Sequence, residues 1–133
     1  MISLSDTLPE TAYISGYRAL LESQRDRMPE DYSIEDFKNH LSDKQVINVE
    51  KDGESIGFGF IQDKEIHFCI KRKYHGKWLT KNVIRQLRAY DFEYTTVDVE
   101  DLAKQRFVMK MGFEPFAEYE GQMIFKLNQF KEV

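Results

Sequence analysis

The segment from Glu65 to Tyr90 constrains the fold of this chain more than any other part of it. The segment begins with a short apolar run, Ile66 to Ile70, and breaks into a basic turn that holds one glycine, Gly76. A pattern of apolar residues at helical spacing follows, and a run rich in β-branched residues comes after it at Thr95 to Val99. A strand, a helix and a second strand in this order predict a crossover between parallel strands. The sequence therefore predicts a sheet of mixed α/β type.

The basic turn is the first candidate for a binding site. Five of the 19 lysines and arginines fall between positions 71 and 81, although the chain as a whole has a net charge of −4. Backbone N–H groups in the first turn of a helix lack partners, and the helix dipole favours an anion there. A diphosphate could also approach the backbone closely at Gly76, because glycine has no side chain. We expect phosphate contacts from His75, Lys77 and the N–H groups of residues 76–80, and the alternative is an ordinary solvated turn.

The rest of the chain predicts a sheet that is mostly antiparallel. Ser33 and Asp36 resemble a capping box at a helix start, Asp52-Gly53 suits the tight turn of a hairpin, and Gly112 suits the end of a helix. The expected order is a strand at 2–4, helices at 9–28 and from 33, strands at 46–50, 55–61 and 65–70, a helix after 76, a strand at 95–99, a helix at 101–111, and strands at 113–119 and 122–127.

Composition limits the classes of protein that the chain can belong to. With 133 residues, of which 41% are hydrophobic, the chain fits one domain with a substantial core. The net charge of −4 argues against nucleic acid as a partner, and no apolar run is long enough to span a membrane. One cysteine, Cys69, and the absence of a signal-peptide pattern predict a cytoplasmic location. The three histidines are scattered, so no metal site is expected.

The element order and two local motifs resemble the GNAT superfamily of acetyl-CoA-dependent N-acyltransferases. The first motif is the turn Lys73 to Trp78, KYHGKW, which resembles the family's pyrophosphate-binding loop. The second is Phe107 to Phe113, FVMKMGF, which is similar to the end of the family's next helix. The glycine turn also resembles that of small GNAT-like proteins encoded by tailed bacteriophages. The resemblance implies one α+β domain over residues 1–133, with a mixed, mostly antiparallel central sheet flanked by helices.

The resemblance also implies acetyl-CoA as a cosubstrate and a set of residues that bind it. In the family, the strand that precedes the glycine turn separates from its neighbour, and its backbone pairs with the pantetheine arm like an added strand. The residues that correspond here are Phe68, Cys69, Ile70, Lys71, His75, Gly76, Lys77, Trp78, Leu79 and Thr80.

Several residues depart from the family's pattern. Lys73 replaces the usual Arg or Gln, and Trp78 replaces a small residue of the loop. Val108 stands where the family often has a tyrosine general acid, and Asp101 where it often has an asparagine. These departures support an alternative function, a GNAT-shaped binding or structural protein without catalysis. For Trp78 itself, the alternatives are a core anchor and a contact with the ligand.

Transfer of an acetyl group to an amine requires a base, because the attacking amine must be neutral. Glu65 and His67 lie on one face of the predicted strand, and a carboxylate or an imidazole could take the proton directly or through water. The alternative is that both are ordinary strand residues. With Val108 at the usual tyrosine position, a water, Tyr74 or Tyr119 could protonate the leaving thiolate, and the sequence does not choose among them.

The expected reaction moves an acetyl group to a primary amine of a small molecule or a peptide. Acidic residues in the first interhelix loop and the last hairpin could form a rim that favours a cationic acceptor, and the alternative is ordinary surface charge on an acidic protein. Homodimerisation through the last two strands is left open.

Overall fold

A computed structural model describes residues 1–128 of the chain. Its main elements are β1 (Ile2–Ser5), α1 (Glu10–Gln24), α2 (Ile34–Leu41), β2 (Gln45–Lys51), β3 (Glu54–Gln62), β4 (Glu65–Ile70), α3 (Lys81–Leu87), β5 (Tyr94–Asp98), α4 (Leu102–Met111), β6 (Phe113–Tyr119) and β7 (Gln122–Leu127). Short 3-10 turns follow α1 at Arg25–Arg27 and β4 at Arg72–Tyr74. The order of elements that the sequence predicts is confirmed.

The strands form one seven-stranded sheet in the order β1-β2-β3-β4-β5-β7-β6. Neighbouring strands are antiparallel except β4 and β5, which are parallel and are joined by the crossover through α3. The predicted mixed sheet is therefore confirmed. The crossover brings the ends of β4 and β5 to the middle of the sheet, with helices available on both faces.

Local sequence signals explain most of the element boundaries. Ser33 and Asp36 form the expected capping box at the start of α2, because each side chain accepts the backbone N–H of the other. Gly112 ends α4 with φ of +115°, a left-handed conformation that suits glycine. The expected helix from Pro9 to Met28 is too long, since α1 ends at Gln24 and a 3-10 turn follows. Met28 itself is extended, as the residue before a proline usually is.

Two apolar clusters cover the two faces of the sheet. Side chains of α1 and α2 pack on one face around Phe37, Leu41 and Phe58. The larger cluster on the other face receives side chains from α3, including Val83, and from α4, including Val108. Alternate residues of β4 therefore point to different helix layers. Among the described residues, no helix is both long enough and apolar enough to cross a membrane.

The predicted start of α3 is wrong. The sequence places the helix directly after Gly76, but its first residue is Lys81 and its N-cap is Thr80, whose hydroxyl accepts the N–H of Val83 at 3.3 Å. Gly76 has φ of +77°, which no right-handed helix contains. The residues between Gly76 and Thr80 carry the Trp78 side chain into the core, where it is 4% exposed.

Candidate functional site

A gap between β4 and β5 is the central feature of the candidate site. Among the described residues, the two strands pair at one position, Glu65 with Tyr94. One residue further, the backbone pairing ends. The Thr95 hydroxyl donates to the backbone carbonyl of Ile66 at 2.8 Å, and in a regular ladder a backbone N–H of β5 would donate to this carbonyl instead. The strands are thus joined at their beginnings and unpaired toward their ends.

The hydrogen-bond alternation of β4 shows which backbone groups line this gap. Lys71 donates its N–H to the carbonyl of Ile56 on β3 at 2.9 Å, and the register pairs Cys69 with Phe58. Because hydrogen-bonded and non-hydrogen-bonded pairs alternate in an antiparallel ladder, the backbone groups of Phe68 and Ile70 point away from β3. They therefore face the gap. An edge of this kind can accept an extended chain as an added strand.

The turn after β4 supplies fewer free N–H groups than the sequence predicts. Lys77 donates its N–H to Tyr74 at 3.0 Å, and Thr80 donates to Trp78 at 3.1 Å. The expected row of amides from 76 to 80 is therefore interrupted at two places. Lys71 was expected to bind the cosubstrate, but its backbone N–H already donates within the β3–β4 ladder. The N–H groups of Gly76, Trp78 and Leu79 stay candidates for contact with a ligand.

Two other residues of the turn have structural roles that the sequence did not show. The ring Nε2 of His75 lies 2.7 Å from the carbonyl oxygen of Ile70, so this side chain folds back on the end of β4. It thereby occupies one backbone group of the strand edge. Arg72 turns toward α1, where its guanidinium donates to the carbonyl of Glu22 at 2.9 Å. At Gly76 an added Cβ would meet open space, so the positive φ is the observed reason for glycine there.

Trp78 is a core residue, which agrees with the first of the two roles considered for it, a core anchor. Its ring centroid lies 4.9 Å from that of Phe68 on β4 and 6.0 Å from that of Phe107 on α4. The indole thus connects the turn, the strand and the last helix on the α3/α4 face of the sheet. It contacts the side chain of Phe68, whereas the edge that faces the gap consists of the backbone of the same residue.

Glu65 and His67 lie together on the α1/α2 face, near the paired end of the gap. The His67 Nε2 contacts the Glu65 carboxylate directly. They line a cavity of about 300 Å³ together with His40, Lys44 and Phe60. Burial, aided by the nearby Lys44 ammonium, lowers the pKa of His40. The fold therefore brings together an acid–base pair and two further nitrogen side chains that the sequence analysis did not connect.

Cys69 lies on the same face of β4 as His67, two residues further along the strand. Its Sγ lies 3.2 Å from the hydroxyl oxygen of Ser23 near the end of α1. Burial raises the pKa of this thiol, although the hydrogen bond with Ser23 opposes the change. A protonated, half-buried thiol is a poor nucleophile, and Cys69 is therefore better explained as a strand residue that packs against α1.

Two of the positions that depart from the family's pattern, Val108 and Asp101, have structural roles. Val108 is 8% exposed and belongs to the larger core cluster. Asp101 is the N-cap of α4, and its carboxylate accepts the N–H of Lys104 at 3.0 Å. Val108 has no proton to donate to a leaving group, and Asp101 has a capping role at the start of α4.

A second cavity of about 660 Å³ lies at the end of β5. It is lined by Arg27 from the 3-10 turn after α1, by Asp98, and by the residues that lead into α4. Arg27 and Asp98 form an ion pair of 2.5 Å. The sequence analysis missed both residues, and no local pattern could have found a pair 71 positions apart.

Comparison with solved structures identifies the architecture. An acetyltransferase from Thermus thermophilus superposes with a TM-score of 0.70 at 14% identity, covering 95% of this chain and 96% of that one. PaiA N-acetyltransferase from Thermoplasma acidophilum, solved in complex with coenzyme A, gives 0.62 at 16% identity and covers 95% and 98%. An acetyltransferase of the GNAT family from Staphylococcus aureus Mu50 gives 0.58 at 12% identity and covers 96% and 100%. No family model and no curated protein matches the chain.

These neighbours show that the chain has the GNAT fold, as its sequence resemblance indicates. At such identities the likeness concerns the fold alone, and a fold by itself does not determine an activity.

Proposed function

We propose that the protein is an N-acetyltransferase that moves an acetyl group from acetyl-CoA to a primary amine. The observation that carries the proposal is the gap between β4 and β5, where the strand edge of Phe68 and Ile70 lies opposite a strand with which it does not pair. The pantetheine arm of coenzyme A contains two amide groups and can pair with such an edge. PaiA, which has the same fold, is solved with coenzyme A.

The turn after β4 would hold the phosphates of the cosubstrate. Lys73, Gly76 and Lys77 are exposed and follow directly on the strand edge. Lysine ammonium groups bind phosphate by charge and by hydrogen bonds, and the open space at Gly76 leaves room beside the backbone. The lysine side chains rather than an intact row of helix amides would therefore carry most of this contact.

The chemistry needs a hydrogen-bond donor for the developing oxyanion, a base for the amine and a proton source for the leaving thiolate. The Phe68 N–H would stabilise the negative charge that develops on the thioester oxygen when the amine nitrogen attacks the carbonyl carbon. Glu65 and His67, alone or through water, would take the proton that the amine loses. The carbon–sulfur bond then breaks and the thiolate leaves, with water as the proton source, because Val108 cannot donate one.

A pair of matched glycine variants tests the cosubstrate site. Gly76 and Gly53 both have positive φ, +77° and +86°, and at both positions an added Cβ meets open space. Gly76→Glu and Gly53→Glu therefore carry a similar folding cost but place a negative charge at different sites. Acetyl-CoA at about 100 times its dissociation constant should stabilise the wild type and Gly53→Glu by roughly 2.7 kcal/mol, and Gly76→Glu by much less. Equal thermal shifts in both variants would contradict the proposal.

A binding protein without catalysis is the second candidate, and the buried Val108 and Trp78 favour it. Thiol release from acetyl-CoA in the presence of a panel of primary amines separates the two functions. An enzyme should release thiol in an amine-dependent manner, with loss of that rate in Glu65→Gln or His67→Gln. A thermal shift by acetyl-CoA without amine-dependent release would identify the binding protein.

A further inference from the structure

We propose that Asp98 is the carboxylate that binds a cationic group of the acceptor, and that Arg27 occupies this carboxylate until the acceptor displaces it. The inference rests on the proposed function and names a class of acceptor for it. That class is an aliphatic amine that carries a second positive charge besides the amine that reacts.

Asp98 is held in place without the help of Arg27. Its carboxylate contacts the amide nitrogen of Gln122 on the paired strand β7, and the register places the two residues opposite each other. Gln105 of α4 donates to the backbone carbonyl of Asp98 at 3.1 Å and to that of Val99 at 2.8 Å. Two elements thus fix the end of β5, and the carboxylate is already positioned when a cation arrives.

Arg27 is the less constrained member of the pair. Its side chain is 61% exposed, against 32% for Asp98, and it belongs to a three-residue 3-10 turn with no buried residue. Water screens an ion pair at such exposure, and the long arginine side chain loses conformational freedom when it is held in one geometry, so the pair contributes little. The guanidinium is therefore a cation on this carboxylate that another cation can replace at low cost.

The segment that carries Arg27 crosses one face of the gap. At the β4 side, Glu22 accepts the backbone N–H of Arg72 at 2.9 Å, and Ser23 contacts Cys69 at 3.2 Å. At the β5 side, Arg27 reaches Asp98. The residues from 22 to 27 thus connect the ends of the two strands on the face where Glu65 and His67 lie. A cation bound to Asp98 would stand beside the same gap that receives the acetyl group in the proposed function.

The cavity next to Asp98 suits a cationic ligand by size and by charge. Its volume is about 660 Å³, and Glu100 and Asp101 also line it. Arg27 is the single basic residue among the described residues that line it. The reacting amine must be neutral, so the charge that Asp98 binds belongs to a second group of the acceptor.

Binding of spermidine to the full-length protein, measured by calorimetry without acetyl-CoA, tests the proposal. Arg27→Ala should bind spermidine about 1.5- to 5-fold more tightly than its matched control, which is the gain expected when a competing exposed ion pair is removed. Asp98→Asn should bind about tenfold or more weakly than its own control, because a charged hydrogen-bond acceptor is lost.

The exposed pair Lys64 and Asp91 supplies both controls. It has the same 2.5 Å separation, with side chains 49% and 79% exposed, and lies outside the cavity. Lys64→Ala and Asp91→Asn change the net charge by the same amounts as Arg27→Ala and Asp98→Asn, so general attraction of a polycation cancels in each comparison.

The proposal is overturned if Arg27→Ala binds no more tightly than Lys64→Ala, if Asp98→Asn binds as well as Asp91→Asn, or if no variant binds spermidine. A separate titration with acetyl-CoA reports on the cosubstrate site alone. Failure of that titration would count against the proposed function, whereas the spermidine comparisons decide the role of Asp98.

Discussion

Replacement of Trp78 by alanine should destabilise the protein more than almost any other single change. The indole is 4% exposed and packs on Phe68 and Phe107, so the variant loses the contacts among the turn, β4 and α4. A buried tryptophan side chain covers roughly 150–250 Å². At about 25 cal/mol per Å², this burial corresponds to roughly 4–6 kcal/mol. Measured losses for comparable truncations are about 3–5 kcal/mol, and we expect a value in that range.

Urea unfolding followed by far-UV circular dichroism measures this loss. Fluorescence cannot be used, because Trp78 is the only tryptophan of the chain and the variant lacks it. Phe116→Ala is the matched control, since Phe116 is also aromatic but is 62% exposed. It should cost less than about 1 kcal/mol. A loss below about 1 kcal/mol for Trp78→Ala would refute the assignment of the indole to the core.

Four further predictions concern the turn before α3, the Arg27–Asp98 ion pair and Cys69. Thr80→Ala should reduce the unfolding free energy by about 1 kcal/mol, measured by urea unfolding, because α3 loses its N-cap. Gly76→Ala should cost roughly 1–2 kcal/mol in the same measurement, since only the positive φ opposes a side chain there. The hydrogen bond from Arg27, and after it the one from Gln122, lowers the pKa of Asp98 below its ordinary value, so the stability from this carboxylate is present above the ordinary pKa and is lost as the pH falls through the lowered pKa. Between about pH 6 and pH 2, the free energy of urea unfolding should therefore fall by less for Arg27→Ala than for the wild type, because Arg27 is the main cause of the lowered pKa of Asp98. Cys69 should react slowly with Ellman's reagent at about pH 8 in the native protein and quickly in urea, because burial raises the pKa of its thiol.

The element order was accessible from the sequence because each boundary has a local chemical signal. The capping box at Ser33, the Asp52-Gly53 turn and Gly112 after α4 all stand where they were predicted. Strand β4 was recognisable from its apolar run and its position before the basic turn. Local residue types decide these features, so a single sequence suffices to predict them.

The start of α3 was mispredicted because two signals compete in the turn. Gly76 suggested an anion-binding loop that leads straight into a helix, whereas Thr80 is a better N-cap and stands just before the apolar stripe of α3. The burial of Trp78 decides between them, since the turn must extend far enough to deliver the indole to the core. Burial of one side chain against residues on other elements is a tertiary fact, and the local pattern does not contain it.

The candidate site was predictable only in part, because some of its features are local in sequence and others depend on tertiary packing. The resemblance to the GNAT superfamily directed attention to β4 and to the glycine turn. The contact of Glu65 with His67 joins residues two positions apart and follows from strand alternation. By contrast, the ion pair of Arg27 with Asp98, and the meeting of His40 with His67 at one cavity, depend on how the helices lie across the sheet.

Amide hydrogen exchange of β4, measured by NMR with and without saturating acetyl-CoA, shows whether the cosubstrate pairs with this strand. The amides of Phe68 and Ile70, which face the gap, should exchange more slowly when acetyl-CoA is bound. The amides of Cys69 and Lys71, which face β3, should show little change, because they are already paired. Unchanged exchange at Phe68 and Ile70 in a protein that demonstrably binds acetyl-CoA would mean that the cosubstrate does not pair with the edge of β4.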